Sequence, residues 1–216
     1  MNNTMFIKFV CPRALWTERE TLNNPKSYPI PTLEAVRGMI KSIYRHPGIE
    51  YAIHHIQICS SIEYGSEIRN ERKDMKHHTQ KSYAFLKNYV FIVEFKIVVE
   101  LDRIHEDNLV EKNIPSQVAK AKEILRRRIA AQKSWAPVVA GQMQYPVIYE
   151  QVNDFEPSVN PISFTIKKMY VCMNYDTKLP EIHDIDIVNG KVQYDQYNKF
   201  FWNDEPVMKE GTDACS

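Results

Sequence analysis

From residue 89 to 101 every second residue is apolar. Tyr89, Phe91, Val93, Phe95, Ile97, Val99 and Leu101 share one register, and the other includes Glu94, Lys96 and Glu100. A period of two over this length predicts a strand with one buried face, so the rest of the chain must supply its neighbours. Residues 5–10, apolar and edged by Lys8, read as a first strand. Residues 51–62, rich in β-branched and aromatic side chains, read as a second. Residues 142–149 can supply a fourth.

Two segments carry the helical period instead. In residues 33–45, Leu33, Val36, Ile40 and Ile43 fall on one face, Thr32 is a natural N-cap, and Pro47 and Gly48 stop the helix. Pro29 and Pro31 hold the approach extended, and with Pro12 and Pro25 they mark residues 11–31 as a long loop. In residues 116–133 the inner face is Val118, Ala121, Ile124, Leu125 and Ile129, with Ser116 as N-cap or Pro115 at the first helical position.

The order strand, helix, strand, strand, helix, strand predicts an α+β fold with a ferredoxin-like, RRM-like βαββαβ domain over residues 1–146. A smaller antiparallel β part follows at 147–216. It has a strand at 163–174, a hairpin at 184–194 turning on Asn189-Gly190, and a polar, mobile tail after Phe201.

At 216 residues the chain can bury a sizeable core, and no apolar run approaches the length of a bilayer span, so no membrane partner is expected. The N-terminus lacks the cationic start and long apolar centre of a secretory signal. The cysteines at 11, 59, 172 and 215 are far apart, without a C-x-x-C pair or zinc spacing. Reduced thiols in a cytoplasm are the simple reading. No cluster of carboxylates or histidines is spaced for a divalent ion, so neither metal nor cofactor is expected.

Net charge is only +1, but its distribution is uneven. Lys120, Lys122, Arg126, Arg127, Arg128 and Lys133 crowd the second helix, and Arg69, Arg72, Lys73, Lys76 and Lys81 give residues 65–82 a basic excess. That polar segment reads as an exposed loop or a long hairpin. Cation density of this kind suits RNA, because arginine forks onto phosphate oxygens and stacks on unpaired bases; a solvated helix face is the bland alternative. Trp16 and the pair His77-His78 could meet bases too, although core burial is the stronger expectation for Trp16. His54 and His55, adjacent in a strand, point to opposite faces and cannot form one ligand pair.

Ser27, Tyr28, Pro31, Thr32, Ala35, Arg37, Gly38, Ile43, Tyr44 and Pro47 form an SY-x-x-PT, A-x-RG, IY-x-x-P pattern, and YAFLKNYVFIVEF follows at residues 83–95. On these residues the chain resembles the RAMP-type proteins of CRISPR systems, specifically the Cas-five family of subtype I-C (Dvulg type). The resemblance implies a metal-independent endoribonuclease that cuts precursor CRISPR RNA within the repeat. It implies attack by the RNA's own 2′-hydroxyl, a cyclic phosphate product, retention of the 5′ handle, and assembly with the backbone and large subunits of Cascade. A non-catalytic RNA-binding subunit that caps the handle is the alternative.

The family's site combines a tyrosine at the end of the first helix with lysine and histidine near the start of the second. Tyr44 matches the tyrosine, Lys120 falls at the lysine with Lys122 able to share its role, and Ala121 stands where the histidine is expected. The expected catalytic set is therefore Tyr44, Lys120 and Lys122, with His46, His77 or His78 as substitutes for the missing imidazole. The expected RNA contacts are Arg37, Arg69, Arg72, Lys73, Lys76, His77, His78, Arg126, Arg127 and Arg128. Plain alternatives are Tyr44 as a core aromatic with its hydroxyl at the rim, Gly38 as a close-packing position, and Arg37 as a solvated helix residue.

Overall fold

The computed structural model describes residues 4–21, 23–72, 78–100, 104, 113–156, 161–174 and 177–198. In chain order these form β1 (Thr4–Ala14), α1 (Leu33–Ile43), β2 (Ile49–Ile58), β3 (Tyr64–Arg72), β4 (His78–Val99), α2 (Ile114–Ala130), β5 (Ile148–Val152), β6 (Phe164–Met173), β7 (Pro180–Ile187) and β8 (Lys191–Gln193).

The long alternation builds the centre of a mostly antiparallel sheet ordered β5-β1-β4-β2-β8. Opposite β4, the residues Met5, Ile7, Phe9 and Cys11 of β1 face Phe95, Val93, Phe91 and Tyr89. Cross-strand pairs share a face, so these eight side chains make one apolar surface, each at most 2% exposed. The core joins them to Leu33, Val36, Ile40 and Ile43 of α1 and to Ala121, Leu125 and Ile129 of α2. On the other face Lys8 pairs with Glu156 at 2.7 Å and Phe6 packs edge-on against Phe155.

Several expected boundaries move. β1 runs on to Ala14, shortening the expected loop at 11–31, because Arg13 and Ala14 still pair with Lys87 and Leu86. The described parts of the segment at 65–82 pair as in the long hairpin: β3 lies against the first half of β4 from Tyr64 opposite Leu86 to Arg72 opposite His78. α2 begins earlier than expected. Asn113, not Ser116, is the N-cap, its side chain accepting the Ser116 N–H at 2.8 Å, and this places Pro115 inside the first turn.

The fourth strand begins at Ile148, not at residue 142, since residues 137–147 form a loop docked on the exit of β1. Gly141 is needed there, with φ +86° and the carbonyl oxygen of Leu15 occupying the space that a Cβ would take. The Asn189-Gly190 turn forms with both residues at positive φ, yet its arms do not make the expected hairpin. Past a single bridge between Val188 and Lys191, β7 pairs with β6 while β8 pairs with β2. Val192 is buried against β2 and Ile185 and Ile187 are buried in the β6–β7 ribbon, so the two arms serve different apolar surfaces. Residues 201–216, expected as a tail, lie outside the described residues.

Candidate RNA interface

Thr32 Oγ1 accepts the Ala35 N–H at 3.2 Å and starts α1 as its sequence predicts. The helix ends on Tyr44, which turns extended (φ −142°, ψ 118°) while its N–H still bonds the Ile40 carbonyl. Two side chains satisfy the carbonyls freed there. Arg128 Nη1 donates to Ile43 O at 3.0 Å, and the Tyr51 hydroxyl donates to Tyr44 O at 2.6 Å. Arg128 thereby holds its guanidinium carbon 5.4 Å from the centre of the Tyr44 ring. Burial raises the Tyr44 pKa above the ordinary phenol value, and the Arg128 charge opposes part of that rise.

Past Tyr44 the chain turns back toward β2. His46 Nδ1 lies 2.8 Å from the Pro47 carbonyl oxygen, which can only accept, so Nδ1 carries the proton and a neutral ring keeps Nε2 as an acceptor. The Tyr44 and His46 ring centres are 6.4 Å apart. His46 lines a cleft of about 820 Å³ whose wall also includes Gly38, Lys41, Arg45, Glu50 and Trp135, while Tyr44 is buried in the core at 7% exposure and is not part of that wall. Lys41 Nζ is tied to Glu50 Oε1 at 2.6 Å. Trp135, in the loop after α2, is 70% exposed although its backbone is pinned, its N–H and that of Ala136 both donating to Ser42 O at 2.7 and 3.0 Å.

The cleft thus joins cations and an exposed aromatic ring at the end of α1. Residues 4–128, more than half of the chain, match the family model described as "CRISPR-associated protein (Cas_Cas5)". The chain belongs to this Cas5 family. A crystal structure described as a CRISPR-associated protein aligns at TM-score 0.69 and 20% identity, over 88% of this chain and 90% of the other. A functionally uncharacterized protein from Streptococcus mutans aligns at 0.66 and 20%, over 88% and 91%. Both share the fold. No curated protein matches the chain.

The expected Cas5 site residues do not all converge. Tyr44 meets Arg128, whereas Lys120 lies eight residues earlier on α2, about 12 Å along the helix axis. Lys122 reaches the Thr4 carbonyl at the start of β1, at 3.3 Å, and burial together with Arg126 lowers its pKa. Ala121, expected at the histidine position, is 1% exposed in the core. Arg126 and Arg127 are exposed on α2.

Arg37 corrects its expected place on the polar side of α1. It is 3% exposed, with Nε donating to Tyr51 O at 3.2 Å, Nη1 to Glu34 at 3.1 Å and Nη2 to Asn198 Oδ1 at 3.0 Å. Arg69 is engaged with Glu67, Gln142 and Tyr145 and stacks over Tyr83. Lys73, Lys76 and His77 lie outside the described residues, as do the side chains of Arg72 and His78. Trp16 is a core residue, packed edge-on against Tyr89 and Phe91.

Gly38 is no close-packing position, for a Cβ there would meet no atom within 4 Å. His54 is the extra residue of a bulge in β2 and pairs with Asp195, while His55 bonds Glu94 at 2.8 Å. Among the described residues no group of three or more His, Cys, Asp or Glu is placed to hold a metal ion, and no helix is long and apolar enough to cross a membrane.

Arg128, expected as an RNA contact, also sits beside Tyr44, while Trp135 on the cleft and Asn198 under α1 carry weight that the sequence did not assign them. For Arg128 the signal was present. Consecutive residues on a helix point about 100° apart, so of the three arginines only Arg128 follows Ile124 and Leu125 by four and three positions onto the inner side. Asn198 and Trp135 carry no such periodicity.

Proposed function

We propose that this chain is a CRISPR RNA maturation enzyme of subtype I-C, with a ferredoxin-like core whose βαββαβ path runs through β1, α1, β2, β4, α2 and β5. In this reading it cuts precursor RNA in the repeat without a metal and then holds the 5′ handle as a subunit of a Cascade complex. The observation that carries the reading is the Tyr44 ring under the Arg128 guanidinium, beside an imidazole with a free acceptor nitrogen.

The chemistry follows from those groups. A base removes the 2′-hydroxyl proton, the 2′-oxygen attacks phosphorus, a 2′,3′-cyclic phosphate forms, and the bond to the 5′-oxygen breaks as an acid protonates it. Burial keeps Tyr44 protonated near neutrality, which suits it to donate that last proton better than to act as the base. His46 Nε2 is the nearby acceptor for the first. Arg128, with Lys120 and Lys122 farther along α2, supplies positive charge for the transition state.

A second reading, a non-catalytic subunit capping the 5′ handle, is favoured by the core position of Ala121 and the engagement of Lys122 with Thr4. One experiment separates the two. The purified protein is incubated in EDTA with repeat RNA of its own locus and with a copy carrying a 2′-deoxy residue at the mapped cut site. A cut that the deoxy residue abolishes supports the enzyme, and tight binding without a cut supports the cap. Tyr44→Phe is expected to lower the cleavage rate about 100-fold or more while sparing affinity. Normal cutting by that variant would remove Tyr44 from the chemistry.

A further inference from the structure

We propose that the cleft between the end of α1 and the loop after α2 seats one unpaired RNA nucleotide, its base stacked on Trp135 and its phosphate held by Arg45. This deepens the RNA-binding reading and rests on it. Trp135 lies beyond residue 128, where the family match ends.

A lone exposed apolar side chain means little by itself, so the weight falls on how this one is presented. The two hydrogen bonds to Ser42 O fix the backbone on which the indole stands, and Lys133 N–H, bonded to Arg128 O at 2.9 Å, ties the same loop to α2. The indole is therefore exposed on an anchored segment, a preorganised platform. On α1, Gly38 leaves open the space that any side chain would occupy.

The charges around the cleft are also sorted. Glu50 neutralises Lys41, and Arg45 has no ion pair among the described residues. What remains for a ligand is one exposed guanidinium, the acceptor nitrogen of His46, and a flat aromatic face. A phosphate joined to a base complements that set, since every base offers a π-face and every nucleotide one negative charge. An apolar protein anchor complements it less well, because it would leave the Arg45 guanidinium and the His46 ring nitrogen unmatched.

The test measures equilibrium binding of the repeat RNA to the full chain, with tryptophan emission followed in parallel. Wild type is expected to show quenching on RNA addition. Trp135→Ala is expected to lose most of that quenching and to bind about tenfold more weakly, with Trp135→Phe recovering much of the affinity. Gly38→Leu, which fills the cleft from α1, is expected to weaken binding as well, so the result does not hang on one variant. Equal unfolding midpoints would show that the variants are folded.

Wild-type affinity in both Trp135→Ala and Gly38→Leu would overturn the subsite while leaving RNA binding by this chain intact. Absence of RNA binding by wild type would overturn both. Normal RNA affinity coupled to lost assembly with a partner protein would make the cleft a protein-docking surface and overturn the inference.

Discussion

The two sides of α1 treat their cations in opposite ways. On the flank facing β2, Arg37 is sealed under Asn198, whose amide also receives the Ile53 N–H at 2.9 Å and donates to the Ile53 carbonyl at 2.7 Å, in the manner of a strand partner. At the open end Arg45 stands in solvent, and Arg128 makes a single described hydrogen bond, to Ile43, before facing Tyr44. Arg37 and Arg45 lie within one conspicuous motif. Its charges hold the fold together on one side and remain available to a ligand on the other.

The largest test of that contrast is Arg37→Ala. It leaves the Tyr51 carbonyl without its buried donor and Glu34 without its cation, and a loss of about 3 kcal/mol in urea-unfolding stability is expected. RNA affinity per folded molecule should be unchanged. Intact stability with lost affinity would move Arg37 into the open region and erase the distinction.

Arg126→Ala combined with Arg127→Ala probes the other side. Both side chains are exposed, so stability should hold while repeat-RNA affinity falls about tenfold, and the salt dependence should flatten by about 0.7 for each single-strand phosphate no longer neutralised. Binding titrations at several salt concentrations measure both. An unchanged slope would leave these arginines as a solvated helix face.

Much of the sheet was legible because alternation is a local signal. The residues of 89–101 that share a register are buried as expected, as far as they are described, and Thr32 caps the helix it was read to cap. What escaped depends on residues distant in sequence. Arg37 sits 161 positions from Asn198, so nothing around it in the chain distinguishes a sealed guanidinium from a solvated one. The hairpin at 184–194 was read from its turn, which formed, but the partners of its arms were set by which buried surface each could reach. Within the site, Tyr44 was legible from a motif, while Trp135 acquires its role only from a loop pinned to Ser42.

Alkaline pH offers a smaller lever on the sealed flank. Burial, with Glu181 alongside, pushes the Cys172 thiol up to about 12 from an ordinary 9.0. A thiol pKa raised by folding contributes stability that is complete below the unfolded value and is lost as pH climbs toward the folded one. Stability should therefore begin to fall near pH 9, with a contribution from this thiol of about 1 kcal/mol by pH 10. In Cys172→Ala the decline measured by denaturant unfolding should be correspondingly shallower. An identical decline would mean that this flank does not exclude water as its burial implies.

The smallest change sharpens the comparison most. Gly38 lies inside α1, where glycine costs about 0.5–1 kcal/mol relative to alanine, and a Cβ there meets nothing within 4 Å. Gly38→Ala should therefore stabilise the protein by about that amount in urea unfolding, since nothing must move to admit the methyl group. If the same variant binds repeat RNA more weakly, the glycine serves the cleft at the expense of the helix, as a site shaped for a ligand does. If stability rises and affinity is untouched, the space beside Gly38 is larger than its ligand requires, and the methyl defines that margin. A fall in stability would show that the open end of α1 is held as tightly as the sealed flank, which would break the contrast at its base.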